Sequence, residues 1–217
     1  MPNASHNTPK LICFDWDGTL IDSFEKIAVC VFEAAKEKGF IKVSKSRIKS
    51  KIGLSFEQLL YELYGEIDCE GFIECYHRIY HQMAPPLLFP RAKDVLKISQ
   101  ESGIQVAIVT NKSRVSVEEE LKLTQMSRYI DSIWVAEEYA AKPSPIMLHH
   151  AMTSHQLTAN DVWMVGDSLP DAYAGCAAGM KVILIGSAID PSWAGDVETV
   201  SSIEDVLTFV AAAAYQE

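Results

Sequence analysis

The sequence predicts an α/β fold, with a doubly wound parallel sheet and an inserted helical domain. Short apolar segments alternate with longer segments of helical periodicity along most of the chain. A single stretch after the first apolar segment carries helical patterns only, and acidic or hydroxyl residues follow several of the apolar segments. Alternation of buried strands with helices is typical of a parallel sheet that is covered on both faces.

Five apolar segments of four to six residues are predicted to be the strands of this sheet. Most are rich in Val and Ile, as strands buried on both faces usually are. The predicted strands are Leu11–Trp16, Gln105–Thr110, Ser132–Val135, Val162–Gly166 and Lys181–Ile185.

Helical spacing of apolar residues fills the segments between and after the later strands. The predicted helices are Arg91–Ser102, Ser113–Thr124, Pro145–His155, Leu169–Ala178 and Ser202–Tyr215. Ser202 is followed by Asp205 three residues later, which resembles a capping box and marks the start of the last helix.

Residues 23–88 interrupt the alternation and contain no convincing strand. Glycines separate four predicted helices, and the consecutive Pro85 and Pro86 end the segment. These helices are Phe24–Lys38, Lys45–Ile52, Phe56–Tyr64 and Glu70–Met83. We therefore predict a core domain made of residues 1–22 and 89–217, and a helical domain made of residues 23–88.

The composition limits the classes of partner. The chain has 217 residues and a formal net charge of −10, so its field repels nucleic-acid phosphates and anionic membranes. Five cysteines without a CxxC pair are typical of free thiols in a reducing compartment. The polar first ten residues and the lack of a long apolar segment favour a cytoplasmic protein. We expect no nucleic-acid or membrane partner. We expect the protein to be a monomer or a homodimer.

Asp15 and Asp17 follow the first apolar segment directly, with Gly18 after them. Side chains two residues apart on extended backbone point the same way, so both carboxylates can face one space. Ligands of such sheets bind beyond the carboxyl ends of the strands. Taken alone the pair is equally consistent with a turn, because Asp and Gly are common turn formers.

Three further groups of polar residues follow predicted strands or precede predicted helices. Thr110 and Asn111 end the second strand, Lys142 precedes a helix, and Asp167 and Asp171 follow the fourth strand. Each group alone is also explained by helix capping or by a solvated loop. Together they bring carboxylates, a hydroxyl, an amide and a lysine to one edge of one sheet, which predicts a phosphate and metal site.

The segments FDWDGTL, VTNK, AKPSP and GDSLPD resemble, in this order, the four motifs of the haloacid dehalogenase-like superfamily. Residues 23–88 resemble the helical cap of its phosphoglycolate phosphatase-like and β-phosphoglucomutase-like branch. The resemblance implies a Rossmann-like core with an inserted four-helix cap. Two departures are Arg91 and Ala141, which stand where many relatives have glycine.

The resemblance also implies site roles. Asp15 would be the nucleophile that forms an aspartyl-phosphate, and Asp17 the general acid and base. Mg²⁺ would be held by Asp15, the backbone carbonyl of Asp17 and Asp167, with Asp171 supporting these ligands. Phosphoryl oxygens would be bound by the residues of the second and third motifs, Thr110, Asn111 and Lys142.

The expected activity is a Mg²⁺-dependent phosphatase that acts on a small phosphorylated metabolite, phosphoglycolate-like or a sugar phosphate. One alternative with the same chemistry is a sugar phosphomutase of the β-phosphoglucomutase type. An alternative of another class is a non-catalytic, receiver-like phosphoacceptor domain, although Asp17 and the helical insertion argue against it.

A cluster of basic residues in the insertion has no acidic neighbour in the sequence. Its members are Lys42, Lys45, Arg47, Lys49 and Lys51. Two or three of them could attract an anionic substrate, or all could form a solvated cationic face. The turn at Gly53 is a natural place for a loop that contacts the substrate.

Overall fold

The computed structural model describes residues 8–40, 43–186 and 197–214. Its strands are β1 (Leu11–Phe14), β2 (Ile21–Asp22), β3 (Leu87–Leu88), β4 (Gln105–Thr110), β5 (Ser132–Val135), β6 (Val162–Gly166), β7 (Lys181–Ile185) and β8 (Val197–Val200). Its helices are α1 (Phe24–Glu37), α2 (Lys45–Lys49), α3 (Phe56–Tyr64), α4 (Cys69–Gln82), α5 (Ala92–Glu101), α6 (Arg114–Leu123), α7 (Ile146–Ser154), α8 (Leu169–Ala177) and α9 (Ile203–Ala214).

Six of the strands form one parallel sheet in the order β5-β4-β1-β6-β7-β8. The predicted doubly wound α/β fold is confirmed. β1 lies between β4 and β6, with Phe14 in register with Ile108 on one side and Val165 on the other. The chain order reverses at β1, and crevices at such reversals are where ligands of open α/β sheets bind.

Alternate residues of the central strands enter two different cores, as the pleat of a strand requires. Ile12 and Phe14 of β1 pack with residues of α5, α6 and α9 on one face. Leu11 and Cys13 pack with residues of α7 and α8 on the other face. Burial on both faces explains the nearly continuous apolar composition of these strands.

The predicted strands need one correction and one addition. β1 ends at Phe14 and not at Trp16, because the carbonyl of Trp16 accepts hydrogen bonds from the amides of Leu20 and Ile21 and the chain turns there. β8 was not predicted. It is a short strand that pairs on one side with β7, and Glu198 interrupts its apolar pattern.

The four helices predicted in the insertion are present and pack around an apolar cluster of their own. Helix α2 is shorter than predicted and ends at Lys49. The insertion begins and ends at a two-stranded antiparallel ribbon, β2 with β3, which the sequence did not predict. The domain boundaries at residues 22/23 and 88/89 stay a prediction, and this ribbon lies at both of them.

Helix α9 begins after Ser202, whose amide donates to the Asp205 carboxylate at 3.0 Å. The predicted start is therefore confirmed, while the predicted end at Tyr215 lies outside the described residues. In the part of the chain that the structure describes, no helix has the length and apolar character needed to cross a bilayer.

Candidate active site

The carboxyl ends of the three central strands bring the first site residues together. Asp15 follows β1, Thr110 is the last residue of β4, and Asp167 follows β6. Because these strands are parallel neighbours, their ends meet at one edge of the sheet, as the sequence predicted.

Lys142 reaches this edge from the loop between β5 and α7. Its ammonium group lies 2.6 Å from Asp15 Oδ1 and 2.5 Å from Asp171 Oδ1, and it donates to the carbonyl of Val109 at 2.8 Å. Burial opposes the charge of Lys142, but the two carboxylates outweigh it and raise its pKa. Lys142 therefore stays a cation between Asp15 and Asp171.

Asp171 is fully buried and both of its carboxylate oxygens have partners. Oδ1 accepts from Lys142, and Oδ2 accepts from the amides of Asp167 and Ser168 and from the Ser168 hydroxyl. Ser168 and Asp171 form the capping box of α8, so the capping interpretation of this motif is confirmed for Ser168. These bonds fix the loop that carries Asp167, and the metal-supporting role of Asp171 stays a prediction.

The donor set fits a divalent cation. Asp15, Asp167 and Asp171 each place a carboxylate oxygen within 4.8 Å of the others. Burial raises the pKa of Asp15 to about 7, against the opposing effect of Lys142. Burial, followed by repulsion from Asp171 and Asp15, raises the pKa of Asp167. Buried carboxylates that repel one another are stabilised by a hard cation such as Mg²⁺, which prefers oxygen ligands.

Gly18 allows Asp167 to lie this close to the first motif. A Cβ atom on Gly18 would lie 2.5 Å from Asp167 Oδ2, and its φ of +88° is one that other residues rarely adopt. Thr19, the next residue, donates its hydroxyl to Asp167 Oδ1 at 3.0 Å. The FDWDGTL motif therefore positions the distant carboxylate as well as its own two.

The side chain of Asp17 forms an ion pair with a lysine. The Lys112 ammonium lies 2.8 Å from Asp17 Oδ1 and 3.3 Å from Glu120 Oε1. Burial opposes the charge of Lys112, but Asp17 and Glu120 raise its pKa above the ordinary value. The Glu120 carboxylate also accepts from the Tyr80 hydroxyl at 2.5 Å and from Trp16 Nε1 at 2.6 Å.

Asn111 joins the core to the insertion. Its Nδ2 donates to the carbonyl of Gly53 at 2.9 Å and to that of Lys142 at 3.1 Å, while its Oδ1 accepts from the Lys142 amide. Both N–H donors of the side chain are therefore used by backbone carbonyls. The role of Asn111 as a phosphate contact stays a prediction, and its position is that of a brace for the Lys142 loop.

A cavity of about 390 Å³ lies over Asp15, Asp17 and Thr110. Helices α3 and α4 and the turn at Gly53 form its other side. This volume is at the lower end of the roughly 300–1,000 Å³ that is typical of small-molecule sites.

The family model that describes the haloacid dehalogenase-like hydrolases matches residues 12–185. The chain belongs to the haloacid dehalogenase-like hydrolase family. It is 30% identical over 188 residues to a phosphoglycolate phosphatase of Vibrio parahaemolyticus, covering 78% of this chain and 82% of that protein. It is 32% identical over 185 residues to a phosphoglycolate phosphatase of Aliivibrio fischeri, covering 78% and 81%.

The fold agrees with this haloacid dehalogenase-like membership. A crystal structure of a haloacid dehalogenase-like hydrolase from Bacteroides fragilis superimposes with a TM-score of 0.82 at 24% identity, covering 91% of this chain and 99% of that one. The family model and the identities of 30% and 32% to phosphoglycolate phosphatases, rather than this superposition, place the chain among the enzymes of the phosphoglycolate phosphatase-like branch. The non-catalytic receiver-like alternative is excluded.

The basic cluster of this hydrolase does not have the position expected if it attracted the substrate. Lys45 and Lys49 pair with Glu25, and Lys51 pairs with Glu62. None of these lysines, nor Arg47, is among the residues that line the cavity. Lys42 lies outside the described residues. The sequence showed no acidic neighbours for these lysines because Glu25 and Glu62 are distant in the chain and come close only in the folded structure.

Three residues of the site received no role from the sequence of this hydrolase: Lys112, Glu120 and Tyr80. Lys112 belongs to the second motif, so its place beside Thr110 and Asn111 could have suggested one. Glu120 ends the acidic run of Glu118, Glu119 and Glu120, which has the pattern of a solvated helix face. Tyr80 has no signal in the sequence that separates it from a core aromatic residue.

Proposed function

We propose that this hydrolase cleaves the phosphomonoester bond of a small phosphorylated metabolite, with Asp15 as the nucleophile and Mg²⁺ as the cofactor. The observation that carries the proposal is the buried Lys142 ammonium, which contacts both Asp15 and Asp171 behind a cavity that Asp15 lines. The relatives named phosphoglycolate phosphatases support a phosphoric monoester hydrolase.

Charge is the main obstacle to this reaction. A carboxylate that attacks a phosphate dianion meets repulsion of about 4 kcal/mol per pair of unit charges at 4 Å and an effective dielectric of about 20. Uncatalysed hydrolysis of phosphate monoesters is among the slowest reactions, so accelerations up to about 10²¹-fold are required. A site for it must concentrate positive charge beside its nucleophile.

The residues that would hold Mg²⁺ are the Asp15 carboxylate, the backbone carbonyl of Asp17 and Asp167, with Asp171 in support. The bound ion would neutralise charge on the phosphoryl oxygens and on the carboxylates. Lys142 supplies the second positive charge, and the Thr110 hydroxyl at the end of β4 can donate to a phosphoryl oxygen.

The first chemical step forms a bond from an Asp15 carboxylate oxygen to phosphorus while the bond from phosphorus to the alcohol oxygen breaks. Asp17, in its protonated form, gives its proton to the departing alcohol oxygen. The product is an aspartyl-phosphate at Asp15 and a free alcohol. Splitting the reaction in this way replaces one difficult step by two easier ones.

In the second step a water oxygen attacks phosphorus and the bond to Asp15 breaks. Asp17, now a carboxylate, takes the proton from that water, which restores both aspartates and releases inorganic phosphate. Lys112 is 2.8 Å from Asp17 Oδ1, so it can orient the Asp17 side chain and stabilise the carboxylate that remains after the first step.

We retain as proposals a cytoplasmic location, a monomer or homodimer, and the absence of nucleic-acid and membrane partners. Phosphoglycolate and a sugar phosphate are the substrate classes that the sequence suggests. The mutase alternative differs in its product, because the phosphoryl group returns to the sugar and no phosphate is released.

The test is phosphate release from 4-nitrophenyl phosphate with Mg²⁺, comparing the unchanged enzyme with Asp15→Asn. We expect steady turnover by the first and a loss of about 10³-fold or more in the second, with an unchanged circular dichroism spectrum. Turnover by Asp15→Asn at the rate of the unchanged enzyme would remove Asp15 from its role. Conversion of a hexose 1-phosphate to its 6-phosphate without phosphate release would favour the mutase.

A further inference from the structure

The cavity over Asp15 has an apolar wall on the side of the insertion. The wall is formed by Ile27, Ile52, Leu54, Phe56, Ile73 and Tyr76. The rings of Phe56 and Tyr76 pack with centroids 4.4 Å apart. A group attached to the phosphoryl group through its ester oxygen would enter this cavity, which Asp15 and the wall residues both line.

Positive charge is scarce on this side of the cavity. Among the described residues that line it, Lys112 is the only lysine or arginine, and its ammonium already contacts the carboxylates of Asp17 and Glu120. Burial, followed by repulsion from His81, lowers the pKa of His77, which keeps this imidazole neutral near pH 7. The other charged residues of the lining beyond the two aspartates are Glu57 and Glu137, both acidic and exposed.

A carboxylate on the leaving alcohol would therefore lose its water against an apolar wall, or face Glu57 and Glu137, without a cation to offset the cost. An uncharged alcohol with an apolar or aromatic face would instead gain from contact with Phe56 and its neighbours. The wall therefore makes binding of a charged alcohol group less favourable and binding of an apolar one more favourable, so it discriminates between these two classes of phosphomonoester.

We propose that the substrate of this hydrolase is a phosphomonoester of an uncharged alcohol with an apolar face, and that phosphoglycolate is a poor substrate. The inference rests on the phosphatase activity proposed above. It differs from the substrate in the names of the relatives, because the described lining of this cavity offers no free cation to a second anionic group.

The test compares three phosphate esters of primary alcohols, so that the leaving groups are similar. 2-Phosphoglycolate and 2-phosphoglycolamide are nearly isosteric, but the amide is uncharged and has an NH₂ group in place of a carboxylate oxygen. Benzyl phosphate has an aromatic ring in place of either group. We expect kcat/KM to be about tenfold or more lower for phosphoglycolate than for its amide, and highest for benzyl phosphate.

Two variants connect the preference to the wall. Leu54→Arg adds a cation and should raise kcat/KM for phosphoglycolate relative to benzyl phosphate by about tenfold, whereas Leu54→Met keeps the wall apolar and should retain the original order. Phe56→Ala should lower kcat/KM for benzyl phosphate more than for phosphoglycolamide. Thermal unfolding of each variant identifies any general loss of structure.

The outcomes are distinguishable. Equal or higher kcat/KM for phosphoglycolate than for its amide would overturn the inference and leave the phosphatase intact. No phosphate release from any of the three esters or from 4-nitrophenyl phosphate would overturn the proposed function, and this inference with it.

Discussion

The ammonium group of Lys112 lies 2.8 Å from Asp17 Oδ1 and 3.0 Å from the hydroxyl of Tyr80. Asp17 follows the first strand of the sheet, and Tyr80 belongs to helix α4 of the insertion. Lys112 therefore connects the proposed acid and base of the reaction to the helices that cover it. This relationship makes the orientation of Asp17 depend on the insertion as well as on the sheet.

Removal of the Lys112 charge should impair proton transfer to the leaving group. For Lys112→Met we expect kcat/KM on an alkyl phosphate to fall about 10–100-fold, because Asp17 loses its orientation. The loss on 4-nitrophenyl phosphate should be much smaller, since nitrophenolate leaves without a proton. Asp17→Asn is the matched comparison and should show the same pattern with a larger loss, about 10²–10⁴-fold. Equal losses on both esters would instead indicate a binding or folding role for Lys112.

The activity should require Mg²⁺, and loss of the Asp167 carboxylate should weaken Mg²⁺ binding. We expect EDTA to stop turnover and Mg²⁺ to restore it, because the clustered carboxylates need a cation. Asp167→Asn should raise the Mg²⁺ concentration for half-maximal activity by about 10-fold or more. Asp22→Asn removes the same charge from an exposed position and should leave that concentration unchanged. Activity that is indifferent to chelation would contradict the assignment.

Lys142 should also contribute strongly to stability. Lys142→Met leaves Asp15 and Asp171 buried without their cation, and breaking such a pair costs about 3–5 kcal/mol of the free energy of unfolding. The double variant Lys142→Met/Asp15→Asn should be less destabilised than Lys142→Met alone, because one of the two carboxylates is gone. Urea denaturation of the two single variants and the double variant measures the coupling. Additive losses would argue against a charge interaction.

Arg91 adopts a left-handed backbone with φ of +67°. This conformation costs a residue with a Cβ atom roughly 1–2 kcal/mol, which glycine avoids. Arg91→Gly and Arg91→Ala both remove the exposed ion pair with Asp94. We therefore expect the glycine variant to be more stable than the alanine variant by about 1 kcal/mol in urea denaturation. The reverse order would show that strain at Arg91 is relieved by its surroundings.

The buried thiol of Cys13 should make the stability of the protein depend on pH above pH 9. Burial raises the pKa of its thiol from 9.0 to about 12, so the folded protein keeps the thiol proton to a higher pH than the unfolded chain does. The contribution of Cys13 to stability is therefore complete below pH 9 and is lost as pH rises from 9 towards 12, by up to about 1.4 kcal/mol per pH unit.

The comparison of the unchanged enzyme with Cys13→Ala isolates this thiol from the other titrating groups. The difference in their free energies of unfolding should shrink by about 1 kcal/mol between pH 8 and pH 10, as measured by urea denaturation. A difference that stays constant over this range would mean that the thiol titrates normally.

Residue order by itself determined the fold class and the edge of the sheet at which the site lies. Apolar runs of four to six residues with helices between them imply a parallel sheet, and its strand ends collect Asp15, Thr110 and Asp167. These are consequences of backbone direction and side-chain period, which act over a few residues and can be read along the chain.

Tertiary packing determined the burial and the ion pairs of charged residues, which the local sequence pattern could not predict. Glu120 lies in an acidic run with the pattern of a solvated face, yet it is buried against Trp16, 104 positions away in the sequence. Lys49 lacks an acidic neighbour in the chain, yet it pairs with Glu25. The charge environment of a side chain is set by whichever segments pack against it, so only the tertiary structure determined the cavity wall and the position of Asp17.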